Sequence, residues 1–206
     1  MNASLKSFLP ALALLLFTLP AAAAGTEAKP ANYIYDPVHT QIEFRVDHLG
    51  FSHPSGRFLK FTGGFTFDPA SAESSEVHIT IDPASVDMGS VDWQRALTGS
   101  EFLDVAKYKD ITFKSTKILR TGDKTGKMTG DITIHGVTRP ITLDVTYNKS
   151  GTHPYNKNYL AGFSATASLK RSDFGMTFGL PGIGDVVDIS LQVEGIRQDF
   201  NGIDKK

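Results

Sequence analysis

Six histidines, His39, His48, His53, His78, His135 and His153, are the residues of this chain best suited to hold a metal or shuttle a proton. Histidine metal sites are written with fixed spacings such as H-x-H or H-E-x-x-H, and none of the six forms such a pair. His48 and His53 flank Leu-Gly-Phe-Ser and converge only across a turn. Asp36 and His39, in YDPVHT, are placed to satisfy backbone groups where a strand begins. GFSAT at 162–166 starts like a serine-hydrolase elbow, but Thr166 stands where the second glycine is required, and the stretch reads as continuous strand. GLPGIGD at 179–185 is glycine-rich like a phosphate loop. The residues after it alternate as a strand, so no helix N-terminus follows to supply amides. These residues predict no catalytic group, no metal and no cofactor, and 179–185 is read as a hairpin loop.

Composition narrows the classes further. Residues 1–24 hold one lysine, an apolar run of about a dozen residues and a small-residue stretch, LPAAAAG, the pattern of a cleaved secretory signal. That run is shorter than the ~20 residues a spanning helix needs, so stable membrane insertion is not expected and the periplasm is. The formal net charge is −1, which offers no basic footprint for nucleic acid. The chain has no cysteine, so packing alone holds it, and thiolate chemistry is excluded.

The elements that carry these residues are strands. Ile42, Phe44 and Val46 alternate with Gln41, Glu43, Arg45 and Asp47; Phe65 alternates with Phe67, and Val77, Ile79 and Ile81 alternate likewise. Ile111 and Phe113, Ile132 and Ile134, Ile141, Leu143 and Val145, the run from Ala161 to Leu169, and Ile189, Leu191 and Val193 continue the period of two. This is the signature of half-buried antiparallel strands. Short turns such as HPSG, TGDKTG and HGVTRP join them, leaving no room for crossover helices. Residues 90–108 break the period. There Ser90 is placed to cap a helical turn ending at Gly99, and Ser100 a second carrying Phe102, Leu103 and Ala106. Eight or nine strands close into a barrel or stack as a sandwich, and alternation alone fits both. The 14 Phe, against 6 Tyr and 1 Trp, suit a dry interior, either a filled core or a cavity wall.

YDPVHTQIEFRVDHLGFSHPSGRF resembles the opening of the YceI-like family. FDPASAESSEVHITIDPASVD, FLDVAKYKDITFKST, TGDITIHGVTRPITLDV, LKRSDFGM and DVVDISLQVEG follow in family order, so the resemblance runs from Tyr33 to Gln198. It implies an all-β fold, an extended eight-stranded antiparallel lipocalin-like β-barrel with a short helical flap around residues 90–108. It also implies a periplasmic protein, without known catalysis or metal, that holds a polyisoprenoid or similar long-chain amphiphile. The expected layout is a signal peptide at 1–24, a flexible lead-in at 25–32, the barrel domain at 33–198 and a C-terminal tail at 199–206. The chain departs from the family at 93–97, WQRAL, which keeps Leu97 but lacks the family's aspartate and histidine and offers Trp93 as apolar surface instead.

On this reading the slot is lined by Phe44, Val46, Phe61, Phe65, Phe67, Phe113, Ile132, Leu143 and Phe163. The Gly63-Gly64 pair is placed to bulge its strand and decide between Phe61 and Phe65. His48, Arg57 and Arg171 are the candidates for a polar head group, with pairing of an arginine to Asp47 or Asp173 as the competing role. The partner is a polyisoprenoid or other long-chain lipid of polyprenyl phosphate or quinone type, and a homodimer is left open. A stress-response or interaction protein with a filled barrel is the alternative. A ligand site requires a cavity of roughly 300 Å³ or more.

Overall fold

The computed structural model describes residues 30–198. The expected signal peptide at 1–24 and tail at 199–206 lie outside the described residues, as does most of the lead-in. The first strand, β1 (Ala31–Tyr35), begins two residues inside that lead-in because Ala31 and Asn32 pair with Phe67 and Thr66. It is followed by β2 (Gln41–His48), β3 (Ser55–Phe58), β4 (Phe61–Phe67), β5 (Val77–Ile81), β6 (Val86–Asp87), helix α1 (Val91–Thr98), β7 (Ile111–Arg120), β8 (Thr125–Ile134), β9 (Val137–Thr152), β10 (Tyr159–Lys170) and β11 (Ile183–Arg197).

Eight of these strands form a closed antiparallel ring, β1-β4-β5-β7-β8-β9-β10-β11, which β11 completes by pairing back to β1. The remaining three, β2, β3 and β6, continue β1, β4 and β5 in space, so the barrel has eight walls of which three are broken. Each break has a local cause. Asp36 accepts from the Val38 and His39 amides at 2.8 and 3.3 Å, turning the chain between β1 and β2. Asp82 accepts from the Ala84 amide beside Pro83, ending β5. The buried Ser85 hydroxyl accepts from the Leu59 and Lys60 amides at 3.2 and 3.0 Å, clamping one break onto another.

β8 and β9 are joined by His135 and Gly136, both at positive φ (52° and 73°), the two-residue turn whose twist matches its strands. Its apolar positions Ile134, Ile141 and Leu143 are buried inside the barrel. The Gly63-Gly64 pair makes no bulge, since β4 runs in unbroken register with β1 and β5. Glycine is required because a side chain at either position would strike a neighbouring backbone, the His78 carbonyl at Gly63 and the Tyr33 carbonyl at Gly64. The flap between β6 and β7 contains α1, bounded by Ser90 and Gly99. The second helical turn expected at Ser100 is instead a run of turns, interrupted at Asp104 with its φ of 42°.

Candidate functional site

The barrel is hollow. A cavity of about 760 Å³ runs through it, from His48, Trp93 and Phe178 at the flap end to Phe67, Ala72 and the β7–β8 turn at the far end. Sites for small molecules span about 300–1,000 Å³, so this volume is that of a binding site.

Eight of the nine apolar candidates border it: Phe44, Val46, Phe65, Phe67, Phe113, Ile132, Leu143 and Phe163. Six strands bring them together because every second residue of a barrel strand faces inward. Phe61 does not border the cavity. It packs edge-on against Tyr35, with ring centroids 6.1 Å apart, in the surrounding core. At the far end Phe163 stands edge-on to Phe65 and Phe67, at 5.6 and 4.9 Å, closing an aromatic cluster with Tyr147. Val77, Ile79, Ile189, Leu191 and Val193 also line the wall. The same alternation that exposed Phe44 and Val46 could have found them. Leu97, Phe102 and Leu103 from the flap carried no periodic signal.

The three polar candidates separate. His48 borders the cavity with its ring centroid 5.7 Å from that of Trp93. Arg171 borders it too, only 4% exposed, but pairs with neither Asp47 nor Asp173. Its guanidinium donates to the carbonyls of Gly184, Met176 and Ile183, each at 2.8 Å. Burial pulls its pKa below the ordinary arginine value, while Asp185 acts in the opposite direction. Arg57 is not at the cavity: β3 turns Gly56 inward and Arg57 outward, where it pairs with Asp87 at 3.1 Å. At the far end Arg120, Lys124 and Lys127 reach the rim. There Lys127 pairs with Asp144 at 2.6 Å, and Arg120 donates to the Gly122 and Asp123 carbonyls.

Burial also pushes the Tyr35 phenol well above its ordinary range, so it lines the cavity as a neutral hydroxyl donating to the His78 carbonyl. Outside the cavity, folding gathers Asp36, His39 and Glu194 within 4.8 Å of one another. The Asp36 oxygens there are already engaged by His39 Nδ1 at 2.9 Å and by two amides.

A lipocalin-like barrel is also what comparison with known proteins returns. The model of the YceI-like domain matches residues 33–195. The chain belongs to the YceI-like family. A UPF0312 protein of Ectopseudomonas mendocina is 37% identical over 188 residues, covering 90% of this chain and 98% of the relative. The crystal structure of Burkholderia cenocepacia BcnA superposes with a TM-score of 0.71 at 26% identity, over 78% of this chain and 98% of that one. A polyisoprenoid binding domain from Saccharophagus degradans shares the fold, with a TM-score of 0.62 at 15% identity over 82% of this chain and 99% of that one.

Proposed function

We propose that this protein is a periplasmic carrier that holds one polyisoprenoid, or a similar long-chain amphiphile of polyprenyl phosphate or quinone type, inside its barrel. The observation that carries this reading is the continuous apolar cavity of about 760 Å³. Transferring a lipid tail from water yields ~0.8 kcal/mol per buried methylene, so a dozen give roughly 10 kcal/mol before the cost of ordering the chain is subtracted. The polyisoprenoid binding domain of Saccharophagus degradans lends support through its shared fold. The periplasmic assignment rests on the signal-like residues 1–24, and no helix among the described residues is long and apolar enough to cross a membrane. Binding rather than catalysis fits a wall without convergent acid, base and nucleophile. A filled barrel serving stress response or interaction alone is disfavoured by the same cavity.

The head group sits at the flap end beside His48 and Arg171, with the tail reaching the Phe163 cluster. Native mass spectrometry of protein purified from its own cells, followed by organic extraction, tests the carrier reading. One lipid per chain is expected. Protein that carries none, and takes up no polyprenol or polyprenyl phosphate on titration, would overturn it. His48→Leu is expected to weaken polyprenyl phosphate binding about tenfold, the value of one charge-assisted hydrogen bond, and to spare the alcohol. If Lys124→Gln does so instead, the head group lies at the far mouth.

A further inference from the structure

The flap end of the cavity opens through an apolar rim. The turn after β2 carries Phe51, 89% exposed, and Leu49, and it is tight: His48 donates to the Ser52 carbonyl and Phe51 to that of His48. The Leu49 amide donates to the Gly182 carbonyl at 2.8 Å, which brings this turn against the loop holding Phe178. Phe178 packs edge-on to Phe102 of the flap, with centroids 5.5 Å apart. Trp93 completes the rim from α1, where it borders the cavity with Ala96 and Leu97, while Val91 lies on the opposite face of the helix. Scattered exposed apolar residues are ordinary, but four around one opening form a patch that water does not favour.

Charge sets this mouth apart from the other. The sequence has no Asp, Glu, Lys or Arg from residue 48 to 56, nor from 174 to 184, the two segments that build most of the rim. Asp92 and Arg95 of α1 neutralise each other at 3.0 Å. The far mouth, in contrast, is edged by Arg120, Asp123, Lys124 and Lys127. Apart from Asp47, whose carboxylate accepts from the Gly50 amide and lies 3.5 Å from His53, the flap-end rim is one of Trp and Phe. Such a rim suits the interfacial layer of a bilayer, where an aromatic ring buries its body and phospholipid heads tolerate its edge. The rim is also continuous with the cavity wall, since His48, Trp93 and Phe178 belong to both.

We infer that the Leu49, Phe51, Trp93 and Phe178 rim docks reversibly on a phospholipid bilayer surface, setting the cavity mouth against the membrane from which a lipid chain enters. This rests on the carrier reading for its purpose. Docking is driven by apolar burial, with no basic patch at the rim to attract anionic heads.

Trp93 is the only tryptophan of the chain, so its fluorescence reports the rim directly. Protein made from the full sequence is mixed with phosphatidylcholine vesicles, with and without phosphatidylglycerol and at low and high salt, and with vesicles of brominated phosphatidylcholine. Trp93 emission is expected to shift to the blue and be quenched by the brominated chains, with little dependence on salt or on phosphatidylglycerol. Phe51→Asp is expected to reduce partitioning at least about tenfold, and Val91→Asp, on the opposite face of α1, to leave it unchanged, both at positions exposed enough to leave the fold intact. Both should retain uptake of polyprenol added from solution. Unchanged emission and no co-flotation with vesicles, in protein that still takes up polyprenol, would overturn docking and leave the carrier reading standing. Quenching in protein that never takes up polyprenol would uphold docking and remove the carrier reading. Self-association abolished by Phe51→Asp, without vesicle binding, would assign the rim to a second copy and overturn the inference.

Discussion

The Arg171 guanidinium donates through Nη2 to the carbonyl of Ile183 at 2.8 Å, tying the end of β10 to the start of β11 across the loop that carries Phe178. With its bonds to Met176 and Gly184 it makes one buried cation the fastener of that loop. Arg171→Met is expected to leave three carbonyls short of a partner and to cost about 3 kcal/mol or more in urea unfolding. Arg171→Lys should recover only part, because an ammonium lacks the planar fork that meets three acceptors at once. A loss under about 1 kcal/mol for Arg171→Met, less than one typical hydrogen bond to a charged group, would remove the fastener role.

Ala165 borders the cavity, opposite Val145 on one side and Leu191 on the other. Ala165→Trp, like Phe163→Trp, is expected to fill ligand space. Bound lipid per mole should fall sharply, while the urea midpoint of delipidated protein shifts little. Overpacking of a solid core would instead cost about 1–3 kcal/mol. Delipidated samples are compared because a bound ligand raises apparent stability.

Gly195 faces Phe65. A Cβ there would fall on the Phe65 ring and lie 3.0 Å from Tyr33 Cβ. The ring has nowhere to go, stacked on Tyr33 at 5.0 Å and edge-on to Phe163. Gly195→Val is expected to destabilise by about 1–3 kcal/mol, and Phe65→Leu should relieve part of that cost in the double variant. Strict additivity of the two changes would mean that they do not meet.

Asp36 and His39 predict a pH dependence. Partial burial works upward on the Asp36 carboxyl. The His39 ring, the Val38 and His39 amides and the His39 charge together hold it below the usual carboxylate range. Hydrogen bonding and attraction from Asp36 raise His39. The Asp36 contribution to stability is present above its unfolded pKa of about 3.9 and is lost as pH falls through the lower folded value. The His39 contribution is complete below about 6.5 and is lost as pH rises through the higher folded value. The pair therefore stabilises the β1–β2 break most in mildly acidic solution. NMR titration should place His39 above free histidine, and Asp36→Asn should return it there. A His39 pKa unmoved by that change would sink the argument.

Much of this architecture is readable before folding. Alternation marks Ile42, Phe44 and Val46 as one face, and it marks most of the cavity wall because the whole inner face of a barrel obeys the same period. Closure is not readable, since it depends on Tyr33 meeting Arg197 at opposite ends of the described chain. Arg57 stands outward between Gly56 and the cavity-lining Phe58, an alternation too short, in a strand of four residues, to be read as a face. Phe61 carries the same signal as Phe65, and Tyr35 packs against both rings, at 6.1 and 5.8 Å, so only their placement in the folded barrel separates their roles. Glu194 comes from a distant part of the chain, so no spacing could have joined it to the adjacent Asp36 and His39.

The two halves of the barrel wall are not held equally. Around β1, β4, β5 and β7 to β11 every strand is bonded on both sides, so separating any neighbours means breaking a ladder. β6 is bonded to β3 alone, and past it the wall is completed by α1, which buries no residue of its own, and by the turns that follow. Amide hydrogens in the ring should therefore exchange only through global unfolding, while those of β6 and α1 exchange through a local, low-energy opening. The molecule is a closed hoop of eight strands with a skirt fastened along one edge only.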